Sequence, residues 1–213
     1  MQAGDVDVPT SGTAVRYDAI VLAGGRGSRL GEVDKAQVLL LGAPLIDRPL
    51  EACAGARDVV VVGPASAVGD HPVRVVREEP VGGGPAAATA AGLAALSGGD
   101  HAPAPWVVLL SCDLPMAEEG VARLLGAAFS TAPPDDVDGW LLVSDEGRPQ
   151  WLFGIYRTER LQAALGRHPE PTGMSMRALL AGLNLALVPG SGDVSDDLDT
   201  WDDHAAWTAR LEA

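Results

Sequence analysis

Apolar residues along the chain gather in short runs, two of which stop at glycine followed by glycine or proline. Tyr17 to Ala23 ends at Gly24-Gly25, and Val59 to Val62 follows Asp58 and stops at Gly63-Pro64. Val73 to Val76 is a third run, and Trp106 to Leu110 a fourth, closing on Ser111-Cys112-Asp113. Runs this short with such flanks predict parallel strands buried on both faces. Between them, helical spacing predicts helices over Pro44–Ala56, with Pro44 in the first turn, over the alanine-rich Ala86–Leu96, and over Ala117–Phe129. Trp140–Val143 and Trp151–Tyr156 read as strands around the turn Asp145-Glu146-Gly147. Helices over Thr158–Arg167 and Met174–Leu183, a strand over Leu185–Val188 and a last helix from about Thr200 complete the pattern. This alternation predicts one three-layer, Rossmann-like α/β domain over residues 17–213 with a mostly parallel central sheet, after a flexible leader over 1–16.

Composition narrows the classes. The 213 residues carry a net charge of −14, which opposes broad binding of nucleic acid or of an anionic membrane. With 47% hydrophobic residues the chain is too apolar for disorder. Cys53 and Cys112 have no CxxC partner, so neither a disulfide framework nor a structural zinc site is expected. No apolar run reaches the length of a membrane span, and Met1 to Arg16 lacks the order of a signal peptide. A reduced, cytoplasmic setting is the expectation. The basic residues hold a single lysine, Lys35.

That lysine closes the most informative stretch, Leu22-Ala23-Gly24-Gly25-Arg26-Gly27-Ser28-Arg29-Leu-Gly-Glu-Val-Asp34-Lys35. It follows the first strand, where an α/β fold places a ligand loop. It is not a P-loop, because Gly31 stands four residues before Lys35 and Ala36 replaces the magnesium-binding hydroxyl. It is not a dinucleotide fingerprint either, since Gly25, Gly27 and Gly31 are spaced GxGxxxG. Glycines let backbone N–H groups approach phosphate oxygens, and Arg26, Arg29 and Lys35 supply positive charge to them. Asp113, at the carboxyl end of a central strand, is placed to hold a magnesium ion at those phosphates.

The pattern LAGGxGxRxGxxDK resembles the signature of nucleotidyltransferases with a glycosyltransferase-A-like fold, and its Ala-Gly-Gly and Asp-Lys forms look most like the molybdenum cofactor guanylyltransferases. The likeness extends to Gly42-Ala-Pro-Leu-Ile-Asp-Arg48, Glu78-Glu-Pro-Val-Gly-Gly-Gly-Pro85, Ser111-Cys-Asp-Leu-Pro115, Gln150 to Arg157, and Asp197-Leu-Asp-Thr200. Trp201 departs from the pattern, standing where the family usually has proline.

The resemblance implies transfer of GMP from GTP to the terminal phosphate of molybdenum-bearing molybdopterin, with Mg²⁺ as cofactor and pyrophosphate released. Lys35 and Arg29 would be catalytic. Leu22, Ala23, Gly24, Gly25, Arg26, Gly27, Ser28, Lys35, Gly82, Gly83, Gly84 and Asp113 would bind the nucleotide, and Asp113 with Asp199 would bind the metal, Asp197 being the alternative second acid. Gln150 and Arg177 would meet the acceptor. Implied partners, besides GTP and molybdopterin, are other proteins of molybdenum cofactor biosynthesis and molybdoenzyme chaperones. Rival readings are a molybdopterin cytidylyltransferase, a sugar-phosphate or phospholactate nucleotidyltransferase, and a non-catalytic nucleotide-binding module. The family's cytidylyl relatives usually carry Ala-Ala-Gly in the first loop, which favours GTP.

Overall fold

A computed structural model describes residues 15–24, 34–99 and 101–212. Nine strands and six helices are described: β1 (Tyr17–Leu22), β2 (Leu39–Leu40), β3 (Ala43–Pro44), α1 (Asp47–Ala52), β4 (Val59–Val62), β5 (Arg74–Val76), α2 (Pro85–Ser97), β6 (Trp106–Ser111), α3 (Ala117–Phe129), β7 (Gly139–Val143), β8 (Pro149–Arg157), α4 (Thr158–Gly166), α5 (Met176–Leu180), β9 (Leu185–Pro189) and α6 (Trp201–Leu211). Seven strands form one sheet in the order β5-β4-β1-β6-β8-β7-β9, and β2 pairs with β3 as a separate small hairpin. β8 runs antiparallel to both neighbours, and every other pairing in the large sheet is parallel.

Both faces of the sheet are covered, as continuous apolar strands require. Successive strand residues point to opposite faces. Ala19, Val108 and Leu110 pack with Val121 and Leu124 of α3, whereas Ile20, Leu22, Val107 and Leu109 pack with Leu93 of α2, Leu161 of α4 and Leu179 of α5. The alanine-rich α2 lies so close that a Cβ at Gly92 would come within 2.7 Å of Ile20. Buried Asp18 in β1 ties distant segments together: it accepts from Arg57 Nε at 3.1 Å, from Arg57 Nη2 at 2.9 Å and from the Ala104 amide at 2.6 Å.

Two expected helices are shorter than their spacing suggests. Ala43–Pro44 is a hairpin strand and α1 begins only at Asp47, because the Leu45 and Ile46 amides donate across the chain to the carbonyls of Val38 (2.9 Å) and Ala36 (3.0 Å). Ser175 caps α5 by accepting from the Ala178 amide, so Met174 is outside the helix. β8 is longer than expected, since it pairs along both edges. Residues 1–14 of the expected leader lie outside the described residues.

From β1 the chain moves outward to β4 and β5, then α2 carries it back to β6 on the other side of β1. The order therefore reverses between β1 and β6, and the crevice at their carboxyl ends is where such sheets bind ligands. Leu22 pairs level with both Val62 and Ser111, so Gly24 and Asp113 leave the sheet side by side.

Candidate active site

Three segments meet over that crevice. Lys35 stands in a single 3-10 turn, Lys35–Gln37, whose Asp34 cap accepts from the Ala36 amide at 3.2 Å. Buried Ala36 and a hydrogen bond from Gln37 Nε2 to the Ala67 carbonyl (2.8 Å) fix this turn. Asp113 is the second residue after β6, and its own carbonyl accepts from the Leu198 amide at 2.9 Å, drawing the acidic segment onto the strand end. Leu198 is buried against Val38, Leu40, Leu45 and Trp207. Asp197 and Asp199 flank it.

Trp201 is the first residue of α6, and the preceding turn is a capping box. Thr200 Oγ1 accepts from the Asp203 amide, and the Asp203 carboxylate accepts from the amides of Thr200 (2.7 Å) and Asp199 (3.0 Å). The site thus needs no proline after Thr200.

One oxygen from each of Asp113, Asp197 and Asp199 lies within 4.8 Å of the others. Lys35 Nζ donates to Asp113 Oδ2 at 3.1 Å and pairs with Asp199 Oδ1. Burial alone would lower the Lys35 pKa, but Asp113 and Asp199 outweigh it and the net shift is upward. Asp197 is pushed up to about 6, first by burial and then by the charges of Asp113 and Asp199. Asp113 Oδ1 is buried and has no hydrogen-bond partner among the described residues. An all-oxygen donor set with an unsatisfied buried carboxylate oxygen, and an ammonium already acting as cation beside it, suits a hard divalent ion such as Mg²⁺.

Two adjoining cavities open on this cluster. The first, about 460 Å³, is lined by Leu22, Ala23, Gly24, Lys35, Gly82, Gly84 and Asp113, and by Glu78. Gly82 (φ 77°) and Gly84 (φ 90°) hold left-handed backbone that only glycine adopts freely. Gly83 instead serves packing: a Cβ there would lie 2.9 Å from the Pro80 carbonyl, and the Gly83 carbonyl accepts from the Gly173 amide. The second cavity, about 340 Å³, shares Asp113 and Ser111 and is lined further by Gln150, Trp151, Met176, Arg177 and Asp197. Gly25, Arg26, Gly27, Ser28 and Arg29 lie outside the described residues.

Most of the expected site residues that are described therefore converge. Asp197 and Asp199, weighed as alternatives, both belong to the cluster. Glu78 carries a signal that sequence reasoning passed over: an acid beside the second glycine loop. Its Oε1 accepts from the Gly82 amide at 2.9 Å, and its buried Oε2 has no partner among the described residues. Cys112 is buried with its thiol pKa pushed up by burial, which suits a packing residue and not a nucleophile.

Comparison with known proteins follows the same lines. The profile of the MobA-like NTP transferase domain matches residues 19–187. The molybdenum cofactor guanylyltransferase of Acidiphilium cryptum is 39% identical over 173 residues, covering 73% of this chain and 83% of that protein. That of Vibrio cholerae is 30% identical over 155 residues, covering 70% of each. Among solved structures, the molybdopterin-guanine dinucleotide biosynthesis protein A of Archaeoglobus fulgidus superimposes with a TM-score of 0.65 at 19% identity, over 92% of this chain and 99% of that one. The 2-C-methyl-D-erythritol 4-phosphate cytidylyltransferase of Thermus thermophilus gives 0.64 at 20% identity, over 93% and 100%. At these identities the two structures speak for the fold.

Proposed function

The chain belongs to the MobA-like NTP transferase family, a family of nucleotidyltransferases, and from that premise we propose that it transfers GMP from GTP to the terminal phosphate of molybdenum-bearing molybdopterin. The carrying observation is Lys35 bridging two of three clustered carboxylates where a nucleotide-sized cavity meets a second one. An acceptor phosphate oxygen attacks the α-phosphorus of GTP, the bond to the β-phosphate oxygen breaks, and pyrophosphate leaves. The acceptor phosphate is ionised at neutral pH, so no general base is required. Positioning and charge neutralisation carry the reaction.

Asp113, Asp199 and Asp197 would hold Mg²⁺, which when bound neutralises charge on the phosphates. Lys35, released from the carboxylates, would turn its ammonium to the phosphate oxygens. Gly24, Gly82 and Gly84 would let backbone approach the nucleotide, and Gly25, Arg26, Gly27, Ser28 and Arg29 would complete the phosphate loop, Arg29 beside Lys35 in catalysis. Glu78 supports guanine: the N1–H and N2–H₂ of guanine are adjacent donors for a carboxylate whose Oε2 lacks a partner in the described protein. Gln150 and Arg177 would meet the acceptor in the second cavity. No helix of the described residues is long and apolar enough to cross a membrane, and the two buried free cysteines accord with the cytoplasm, where other molybdenum-cofactor proteins and molybdoenzyme chaperones would supply the acceptor and receive the product.

The test is to offer each of the four NTPs with Mg²⁺ and molybdopterin and to measure pyrophosphate. Release with GTP is expected. Release with CTP in its place would identify a cytidylyltransferase, and nucleotide binding with no release would identify a binding module.

A further inference from the structure

Buried side-chain oxygens without a hydrogen-bond partner are costly, so their positions are informative. Among the described residues such atoms occur in three side chains, Glu78, Asp113 and Ser195. All three side chains belong to residues lining the two adjoining cavities: Glu78 the first, Asp113 both, and Ser195 the second. The first two have ready ligands in the base and the cation. Ser195 faces neither of these.

Ser195 is only 2% exposed. It lies between Val194 and Leu198, which are buried in separate apolar clusters, so the backbone on either side is fixed. Packing does not demand a hydroxyl here, because the nearest constraint is steric: a Cβ at Gly190 would come 2.9 Å from Ser195 Cβ and 3.1 Å from its Oγ. Alanine would fill the same space without an unpaired polar atom. The cavity it lines has apolar walls in Trp151, Phe153 and Met176, and its polar side chains include Gln150, Arg177 and Asp197. Apolar walls interspersed with hydrogen-bonding side chains fit a heterocycle with polar edges.

We infer that the Ser195 hydroxyl is a specificity contact for the acceptor, hydrogen-bonding the polar edge of its ring system within the second cavity. The inference rests on the reading of that cavity as the acceptor's site. The hydroxyl has no partner among the described residues and gains one in the complex, so stability and binding respond to its removal in opposite directions.

The experiment uses the full chain as wild type, Ser195→Ala and Ser195→Thr. Equilibrium binding of molybdopterin is followed anaerobically by its fluorescence, alongside GTP binding and thermal unfolding. Ser195→Ala is expected to weaken molybdopterin binding about threefold to tenfold, the loss of one neutral hydrogen bond. Its GTP affinity should be unchanged and its melting temperature equal to or above wild type, while Ser195→Thr keeps most of the affinity. Unchanged molybdopterin affinity in Ser195→Ala overturns the inference, as does a lower melting temperature with both ligands weakened alike. Wild-type protein that binds molybdopterin but releases no pyrophosphate from GTP overturns the proposed reaction and leaves the Ser195 contact standing. Wild-type turnover with unaltered affinity in Ser195→Ala does the reverse. Wild-type protein that binds no molybdopterin overturns both.

Discussion

Replacing Lys35 by methionine keeps the aliphatic stem and removes the one cation that, among the described residues, lies between Asp113 and Asp199. Side-chain exposures of 18% for Lys35 and 14% for Asp113 put this pair mostly out of water. At 3.1 Å and an effective dielectric of about 20, the gross attraction to Asp113 is roughly 5 kcal/mol. Desolvation cancels part of it, and Asp199 is more exposed, so the net loss is about 3 kcal/mol. For a chain of this length that lowers the melting temperature of the metal-free protein by roughly 6–12 °C. The loss should be largest at pH 7–8, where Asp197 is ionised beside the other two carboxylates, and should shrink towards pH 5 as Asp197 takes up a proton. Mg²⁺ should restore much of it. Turnover should not return with the metal: a missing charged donor at the reacting phosphates costs about 10²–10³ in kcat. Differential scanning fluorimetry across pH and Mg²⁺, with pyrophosphate release measured in parallel, checks both effects. A Lys35→Met protein with wild-type stability without metal at pH 7.5, or with kcat within threefold of wild type, would refute the placement of Lys35 as cation and catalyst.

Asp197 titrates at about 6 in the folded protein against an ordinary 3.8, so the folded state binds its proton more tightly than the unfolded chain. Its stabilising contribution is complete below about pH 4 and lost as pH rises through 6. Asp197→Asn should therefore melt higher than wild type at pH 7.5 without metal and equally near pH 4; a lower melting point at pH 7.5 would contradict the clustering of the three acids. Glu78→Ala should raise the KM for GTP by about 10- to 100-fold, the range of a hydrogen bond to a charged group, and narrow the difference between GTP and ITP, which lacks the N2 amino group. An unaltered GTP/ITP ratio would remove Glu78 from base recognition. Gly120→Ala should destabilise by about 1–3 kcal/mol or more, because the added Cβ would fall 2.0 Å from Phe153 Cζ; chemical denaturation measures it.

The parts of the fold legible in the sequence are those whose causes are local. The apolar runs that end in glycine or a strand-end acid became β1, β4 and β6, because burial on both faces leaves no polar side to the pattern, and the run Val73–Val76 became the edge strand β5, whose Arg74 is exposed. The helix expected from Pro44 failed for a non-local reason. Leu45 and Ile46 have helical spacing, yet their amides are taken by the carbonyls of Val38 and Ala36, bonds that close the hairpin and brace the Lys35 turn. Likewise the Gly173 amide is taken by Gly83, which keeps the chain before α5 irregular beside the second cavity.

The acidic site shows the same division within a few residues. Lys35 and Asp199 are 164 positions apart, and only the folded backbone, through the Leu198 amide on the Asp113 carbonyl, brings them together. The choice between Asp197 and Asp199, however, was a question the sequence itself could have dissolved. In Asp197-Leu198-Asp199 an apolar residue stands between two acids, which is the alternation of an extended segment with one buried face. Burial of Leu198 against Trp207 and Leu45 turns that residue inward, and the period of two then sends both carboxylates to the opposite side. Asp113 awaits them there with an oxygen that has no partner among the described residues. A one-residue slip would carry Leu198 to the crevice and both acids towards the core, so the packing that secures α6 also fixes the donor set.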